Sequence, residues 1–593
     1  MKRGSPRLLP SGDRRRTIAL FFAVQLVVGI VLLTSRSLFA DSPSSSQVLA
    51  QSREAAPFSL GPNCTVDLAH ADAAFIKGRV EAMVRSLADT NPWMGTMMES
   101  AEEGQLTRGE VRAIVGREVP LPVDARYGVQ SSESVPGVQD VHAELAALMA
   151  ASLAGMTPVE GTAVRRQHRT TTAEMGVAAR DALNDTSSVP ARIAFLNALA
   201  EEAAPHATTR VAVVTTSGVD LRGVRREVLP WLQYHTEMGV SRFYIVYNGH
   251  DAAAVQALET IRHVRLIHVH EPWAKGVDSA LVELYSGLSR QWKGRPGNYA
   301  LMVTQGFGEH EGLRRAKEDG MQWLLHLDPD ELVQPGDASG SLAEVLGRVP
   351  PHVASLRFMN FEGQSEAGDV VNRYEQVTLF RVHKHFITPE AHWYRSRFKL
   401  GASTSFLLLY ANGKAAVRVD APGVRHLGPH FWTGDPSPRW QSADNPGGEF
   451  TNLVSDDSVI LHYPYSYVSD VVDKAHRSCP DSYLEAARAG DRAKVRECFV
   501  IEADQDAYMA AAAGPTAVTD FFYSRFVLSE GVSVRCTDPE TKLKGWCELK
   551  DVERLKHLLQ KIGLFRRISG PSILLRQHER AIQALMHAGS ALR

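Results

Sequence analysis

The stretch Met321-Gln322-Trp323-Leu324-Leu325-His326-Leu327-Asp328-Pro329-Asp330-Glu331-Leu332-Val333 sets a short apolar run directly before two carboxylates. Trp323, Leu324, Leu325 and Leu327 form the nearly continuous apolar pattern of a strand buried on both faces of a parallel sheet. Pro329 has no N–H to give to a ladder, so the strand has to end there. Asp328 and Asp330 then project from the carboxyl end of a central strand, where open α/β sheets bind their ligands. Two carboxylates one residue apart can jointly hold a hard divalent cation, and such a cation can bridge nucleotide phosphates. Spacing alone would not carry this reading, because Asp504-Gln505-Asp506 repeats it in a helical pattern.

Working outward, the chain from Arg210 alternates strand and helix patterns. Val211–Val214 is a strand candidate, and Val224, Val228, Leu229, Trp231 and Leu232 are the apolar positions of a helix. Phe243–Tyr247 is the next strand, followed by a short helix at 252–262, a strand at 264–270 and a helix at about 309–320. This alternation predicts a parallel sheet with right-handed crossovers. Downstream, Leu356–Phe361 reads as a strand closed by Gly363, and Asn412-Gly413 closes a hairpin between Phe406–Tyr410 and Ala416–Val419. Gly306-Phe307-Gly308-Glu309-His310-Glu311-Gly312 is one residue too long for Gly-x-Gly-x-x-Gly, so it predicts no dinucleotide site. His268 and His270 read as polar positions at a strand end. The basic run Arg381-Val382-His383-Lys384-His385 is either a solvated face or a group of cations beside a diphosphate.

Trp323-Leu324-Leu325-His326-Leu327-Asp328-Pro329-Asp330-Glu331-Leu332 resembles the Trp-x-x-x-x-Asp-x-Asp-Glu-Phe motif of glycosyltransferases of the family 92-like and family 2-like groups, which have the GT-A fold. Glu227-Val228-Leu229-Pro230-Trp231-Leu232-Gln233-Tyr234-His235 is similar to the Glu-Trp-x-x-x-His block of the same group, and Tyr247-Asn248 to the end of its second strand. Leu461-His462-Tyr463 resembles its His-Tyr element, which precedes a terminal helix carrying a lysine, here Lys474. Where the family often has Lys-Asn-Glu after its first strand, this chain has Thr215-Thr216-Ser217-Gly218. The resemblance covers about residues 208–465. It implies an α/β GT-A-type nucleotide-sugar-binding domain with a central, mostly parallel sheet. It also implies Mn2+ or Mg2+ held by Asp328, Asp330 and His462, with His430 as runner-up. Thr215, Asn248, Asp251 and Asp328 would line the nucleotide-sugar pocket. An inverting transfer needs a carboxylate to deprotonate the acceptor, and Glu362, Glu366 and Glu375 are the candidates.

The ends of the chain set its expected surroundings. The chain of 593 residues carries a net charge of −2, so no global field points to nucleic acid. Six basic residues against Asp13 in residues 1–16 precede an uncharged, mostly apolar run at 17–34, long enough to span a bilayer. The positive-inside rule then predicts a cytosolic tail, a signal-anchor helix and a lumenal remainder in a single-pass type II Golgi membrane protein. The rival reading is a signal peptide cleaved near Leu38-Phe39-Ala40. Residues 35–207 read as a helical stem, with sequons at Asn63 and Asn184, and residues 466–593 as a helical C-terminal extension. Of the five cysteines, Cys479, Cys498, Cys536 and Cys547 cluster near the C-terminus, and local closure favours Cys479–Cys498 with Cys536–Cys547.

The expected function is transfer of a sugar from a nucleotide donor, a uridine diphosphate sugar, to a glycan or glycoprotein hydroxyl. The alternatives are a non-catalytic, membrane-anchored glycan-binding protein of the same fold, or a metal-dependent lumenal phosphodiester hydrolase.

Overall fold

The computed structural model describes residues 186–203, 209–268, 299–336, 340–368, 370–387, 412–479, 483–498, 502–529, 533–537, 544–548 and 551–591, with residues 144, 147, 157 and 158. The expected anchor at 17–34, both sequons, Cys64, His270 and the first hairpin strand Phe406–Tyr410 lie outside these residues. Among the described residues no helix is long and apolar enough to cross a membrane.

A mixed sheet of ten strands organises the fold. Its strands are β1 (Val211–Ser217), β2 (Val240–Tyr247), β3 (Val264–His268), β4 (Trp323–His326), β5 (Glu331–Gln334), β6 (Ser355–Gln364), β7 (Leu379–Arg381), β8 (Lys414–Arg418), β9 (Asn452–His462) and β10 (Phe565–Arg567). The order along the sheet is β10-β7-β6-β8-β4-β1-β2-β3, and β9 pairs with both β5 and β6. Strands β4, β1, β2 and β3 run parallel, as the strand–helix alternation predicts, with Val213 opposite both Phe243 and Leu325. Beyond β4 the pairing changes. Strand β8 is antiparallel to β4 and to β6, β7 is antiparallel to β6, and β9 is parallel to β6.

Helices cover both faces of the parallel half. On one face lie α1 (Val189–Ala203), α2 (Leu229–Glu237) and α3 (Ala252–Glu259), packed through Leu196, Trp231, Leu232 and Leu258. Helix α1 falls in the expected stem, yet its Val189, Ile193, Leu196 and Leu199 join the main core, so that core takes in residues before 208. The other face carries α4 (Tyr299–Glu318), which begins about ten residues earlier than its apolar period predicts. The Gly306–Gly312 run lies inside this helix. A Cβ on Gly308 would stand 2.8 Å from a Val246 methyl, and one on Gly312 2.9 Å from a Val214 methyl. These glycines therefore bring α4 close to β1 and β2.

The Trp231–His235 block acts as a clamp. A π turn, Val224–Val228, leads into α2. From there Trp231 Nε1–H donates to the Glu331 carbonyl at 2.7 Å and the Tyr234 hydroxyl to the Val333 carbonyl at 2.9 Å. His235 Nδ1–H donates to the Trp231 carbonyl at 2.9 Å, and its Nε2 accepts the Val333 N–H at 3.2 Å. Both ring nitrogens are thus committed in the neutral form, and burial holds the imidazole pKa down at about 3.

The C-terminal region is more than a helical annex. Its strand β10 extends the sheet through β7, with Arg566 opposite Phe380. Among its helices, α5 (Val468–Ser478) carries Asp470, whose carboxylate takes Arg373 at 3.1 Å, while the Arg373 guanidinium also lies over the Tyr467 ring. Helix α6 (Glu502–Ala513) carries the decoy pair, with Asp504 accepting from the Tyr465 hydroxyl and Asp506 pairing with Arg492. The last helix, α7 (Gly570–Ala591), reaches back to α1 and α2 through Glu579–Arg192 and His578–Glu237. Cys479 and Cys498 form a disulfide with Cα atoms 5.5 Å apart. In the hairpin Ser533–Thr537/Lys544–Glu548, Cys536 is opposite Gly545 and Cys547 opposite Val534, so these two cysteines are diagonal rather than opposed.

Two outcomes follow from this packing. In an unreduced digest, Cys479 and Cys498 should map to one linked peptide, and replacing both by Ser should lower stability by about 3 kcal/mol. His235 binds no proton in the fold but does so in the unfolded chain below about pH 6.5. Its contribution is therefore full above that pH and lost as pH falls toward 3. His235→Leu should cost about 1–3 kcal/mol at pH 7 by stranding the Val333 N–H. Urea unfolding at pH 7 and pH 5 should show a smaller loss on acidification in the variant than in the wild type.

Candidate active site

The chain leaves β4 at His326, and the backbone up to Glu331 is tied down at several points. The Asp328 N–H donates to the Glu331 carboxylate at 2.9 Å, and the Glu331 N–H to the Asp328 carbonyl at 3.0 Å. The Tyr374 hydroxyl donates to the Pro329 carbonyl, and the Tyr463 N–H to the Asp330 carbonyl at 2.9 Å. With Trp231 on the Glu331 carbonyl, this short segment is held from α2, from the residue after β9 and from the helical turn Arg373–Gln376.

Inside this frame lies a cation that the motif does not announce. Lys414, the first residue of β8, is 1% exposed. Its Nζ donates to Asp328 Oδ2 at 2.6 Å and lies 3.3 Å from Glu331 Oε2. Gln305 Nε2, from α4, takes the other Asp328 oxygen at 2.8 Å. Burial opposes the charge on Asp328, but Lys414 and His326 more than offset it and hold the carboxyl well below the usual range. Burial also works against the Lys414 charge, and Asp328 and Glu331 override it, so the ammonium is held above its ordinary value. Glu331 is governed by burial, which keeps its carboxyl up at about 7 despite Lys414.

The second aspartate faces other partners. Asp330 Oδ2 lies 3.8 Å from His462 Nε2, and His462 Nδ1 lies 3.7 Å from Glu362 Oε1. The sheet register explains the grouping, since His462 on β9 stands opposite Glu331 on one side and Glu362 on the other. Two ligands of one cation, each bonded at about 2.0–2.2 Å, can lie up to about 4 Å apart. Asp330 and His462 meet that spacing. Asp328, expected as a third ligand, is instead held by Lys414 and Gln305. Among the described residues no group of three or more His, Cys, Asp or Glu side chains converges in metal-holding geometry.

The other candidate residues separate clearly. Glu362 is fully buried beside His462. Glu366 is clasped by Arg567 at 2.7 and 2.9 Å and by Lys556 at 2.9 Å, and these cations outweigh burial to lower its pKa. Glu375 is turned toward Glu579, Arg192 and Arg576 on α7 and α1, and burial raises its carboxyl. Neither Glu366 nor Glu375 is brought to the aspartates by these contacts. Thr215 is buried near the end of β1. Asn248 lies just past β2 with its N–H on the Ser217 carbonyl at 3.0 Å, over Gly218, where a Cβ would come 2.4 Å from its Oδ1. Asp251 caps α3, accepting from the Ala253 and Ala254 N–H groups, and also takes the Leu221 N–H at 2.9 Å. That work ties two elements together instead of presenting an open carboxylate. His430 anchors its Nδ1 on the Gly413 carbonyl at 2.7 Å, in the turn before Lys414. In the basic run, Arg381 is buried against Gln364 at 2.9 Å, and the His383 ring accepts the His385 N–H. Lys474 falls on α5, and its side chain lies outside the described residues.

Sequence reading missed Lys414, Gln305 and Glu309. Gln305 and Glu309 lie one helical turn apart on α4, and Glu309 is fully buried 3.1 Å from His426. Starting α4 at about 309 had placed Gln305 in a loop. The available signals were a charged residue directly after an Asn-Gly turn and an i, i+4 polar pair in a helix of tight glycines.

No family model matches the chain. It has distant glycosyltransferase-like homologues. The Arabidopsis thaliana glycosyltransferase-like protein At3g57200 is 26% identical over 372 residues, 62% of this chain and 63% of that protein. The Arabidopsis thaliana glycosyltransferase-like protein At2g41451 is 28% identical over 322 residues, 54% of this chain and 65% of that protein. The chain thus spans a little under two thirds of these relatives. Among solved structures, Staphylococcus aureus TarS 1-349 aligns with 53% of this chain and 72% of its own at 11% identity and a TM-score of 0.20. Glucosyl-3-phosphoglycerate synthase from Mycobacterium tuberculosis, in complex with Mn2+, uridine diphosphate and phosphoglyceric acid, aligns with 48% of this chain and 84% of its own at 12% identity and a TM-score of 0.18. Overlaps this loose add nothing to the reading of the site.

Lys414→Met should lower stability by about 3–5 kcal/mol, because it leaves the buried Glu331 and the half-buried Asp328 without their counter-charge. Adding Asp328→Asn should recover part of that loss. Urea unfolding of both variants measures it, and a Lys414→Met value within about 0.5 kcal/mol of wild type, the range of ordinary surface changes, would show that the ion pair is not formed.

Proposed function

We propose that this protein is a metal-dependent glycosyltransferase of the GT-A type, moving a sugar from a uridine diphosphate donor to a hydroxyl of a glycan or glycoprotein. The observation that carries this reading is the pair Asp330–His462 at a cation-sharing distance of 3.8 Å, at the carboxyl end of a central strand. The distant glycosyltransferase-like relatives support it.

Asp330 and His462 would hold Mn2+ or Mg2+, which when bound offsets the charge developing on the departing diphosphate. Asp328 is on the nucleotide side of the same turn, with the ends of β1 and β2, Thr215 and Asn248, beside the expected nucleoside pocket. In the transfer, the acceptor oxygen bonds to the anomeric carbon, the bond from that carbon to the diphosphate oxygen breaks, and the acceptor proton passes to a carboxylate. Of the three candidates Glu362 is the one joined to Asp330, through His462; fully buried on the Nδ1 side of that ring, it would orient His462 toward the metal. The basic cluster before residues 17–34 and the Cys479–Cys498 disulfide support a type II Golgi membrane protein with this domain lumenal.

The full chain, incubated with a panel of nucleotide sugars and Mn2+, should slowly release sugar from one uridine diphosphate donor. Chelation should abolish that release. Glu362→Gln should cut Mn2+-dependent transfer by about 10–100-fold, while Glu366→Gln should not. Release from no donor at all would leave a glycan-binding protein as the better reading.

A further inference from the structure

The Asp-x-Asp pair is divided between two different cations, one of which belongs to the protein. Asp328 has both oxygens engaged from within, Oδ2 by Lys414 at 2.6 Å and Oδ1 by Gln305 at 2.8 Å. Lys414 is shut off from solvent and touches Glu331 as well, so it supplies a counter-charge to the inner carboxylates whether or not any ion is present. Asp330, two residues on, points instead to His462 at 3.8 Å. An ion that took Asp328 as a ligand would have to break a short ion pair and strand a buried ammonium. An ion on Asp330 and His462 would disturb neither.

We propose that Lys414 is a positioning residue that acts as a resident counter-ion, reserving Asp328 from the metal and leaving Asp330 with His462 as the exchangeable cation's protein ligands. The proposal rests on the reading of this turn as the metal and donor site. Its physical content is that the protein supplies a fixed positive charge to one half of the motif. Only the other half then responds to metal concentration. The geometry of Lys414 is set from outside the motif. Gly413 takes a φ of +62°, and a Cβ there would come 2.0 Å from the Phe358 carbonyl, so the turn enters β8 at one register.

The test is direct Mn2+ titration of the full chain by calorimetry, without donor and then with uridine diphosphate, in wild type, Asp328→Asn, Asp330→Asn and Lys414→Met, with folding followed by circular dichroism. Asp330→Asn should weaken Mn2+ binding at least tenfold and leave unfolding unchanged. Asp328→Asn should change Mn2+ affinity less than threefold while lowering the unfolding midpoint. Folded Lys414→Met should bind Mn2+ more tightly than wild type, because Asp328 is released to join the ion; a merely structural lysine would not produce that gain. If Lys414→Met does not fold, the two aspartate variants decide. Equal loss in Asp328→Asn and Asp330→Asn overturns the division, as does unchanged or weaker Mn2+ binding in folded Lys414→Met. Absence of Mn2+ binding by the wild type overturns the metal reading itself, and the division with it.

Discussion

A buried ammonium between two carboxylates ties the acidic turn to the middle of the sheet. The Lys414 ammonium, shut off from solvent, is held by Asp328 and Glu331, because a buried charge without a partner is strongly destabilising. The consequences reach well beyond the site. Strand β8 must lie between β4 and β6 in one register, with Ala416 opposite both Leu325 and Leu356, or Lys414 misses the strand end. A slip of one residue would turn it to the other face of the sheet. The ion cluster and the sheet register are thus one constraint seen at two scales.

The turn that bears the aspartates is held as a rigid unit. Its amide and carbonyl groups are taken up by Glu331, Tyr374, Tyr463 and Trp231, each from a different part of the chain. Such a turn loses little freedom when a ligand arrives, which is what preorganised charge stabilisation requires. It also explains the Trp231–His235 block. Those residues serve β5, and their value to the site is positional.

The C-terminal region belongs to the same mechanical unit. Strand β10 closes the edge beside β7, and Arg567 with Lys556 draws Glu366 away from the aspartates. Arg373 is fixed between Asp470 and Tyr467, which steadies the turn carrying Tyr374 and therefore the Pro329 carbonyl. Removing residues after 465 would thus disturb the acidic turn through Arg373 and Tyr374.

The strands from Val211 to Leu327, the Asp328-Pro329-Asp330 stop and the helices between them were legible in the sequence because they rest on local periodicity and on the missing N–H of proline. The same local signals placed the aspartates at the end of a strand, whereas His462 came only from the resemblance of Leu461-His462-Tyr463. They failed where partners are remote or hydrogen bonding decides. Lys414 meets Asp328 across 86 residues, and Gln305 belongs to a helix whose glycines hid its start. Glu362, Glu366 and Glu375 look alike in sequence and part company only through what each one touches: a histidine, two cations, or the helices behind the sheet. Sequence alone determined the alternating elements and the acidic strand end. Tertiary structure alone decided which carboxylate keeps a protein cation and which faces His462, because charge pairing depends on distances that only the folded sheet sets.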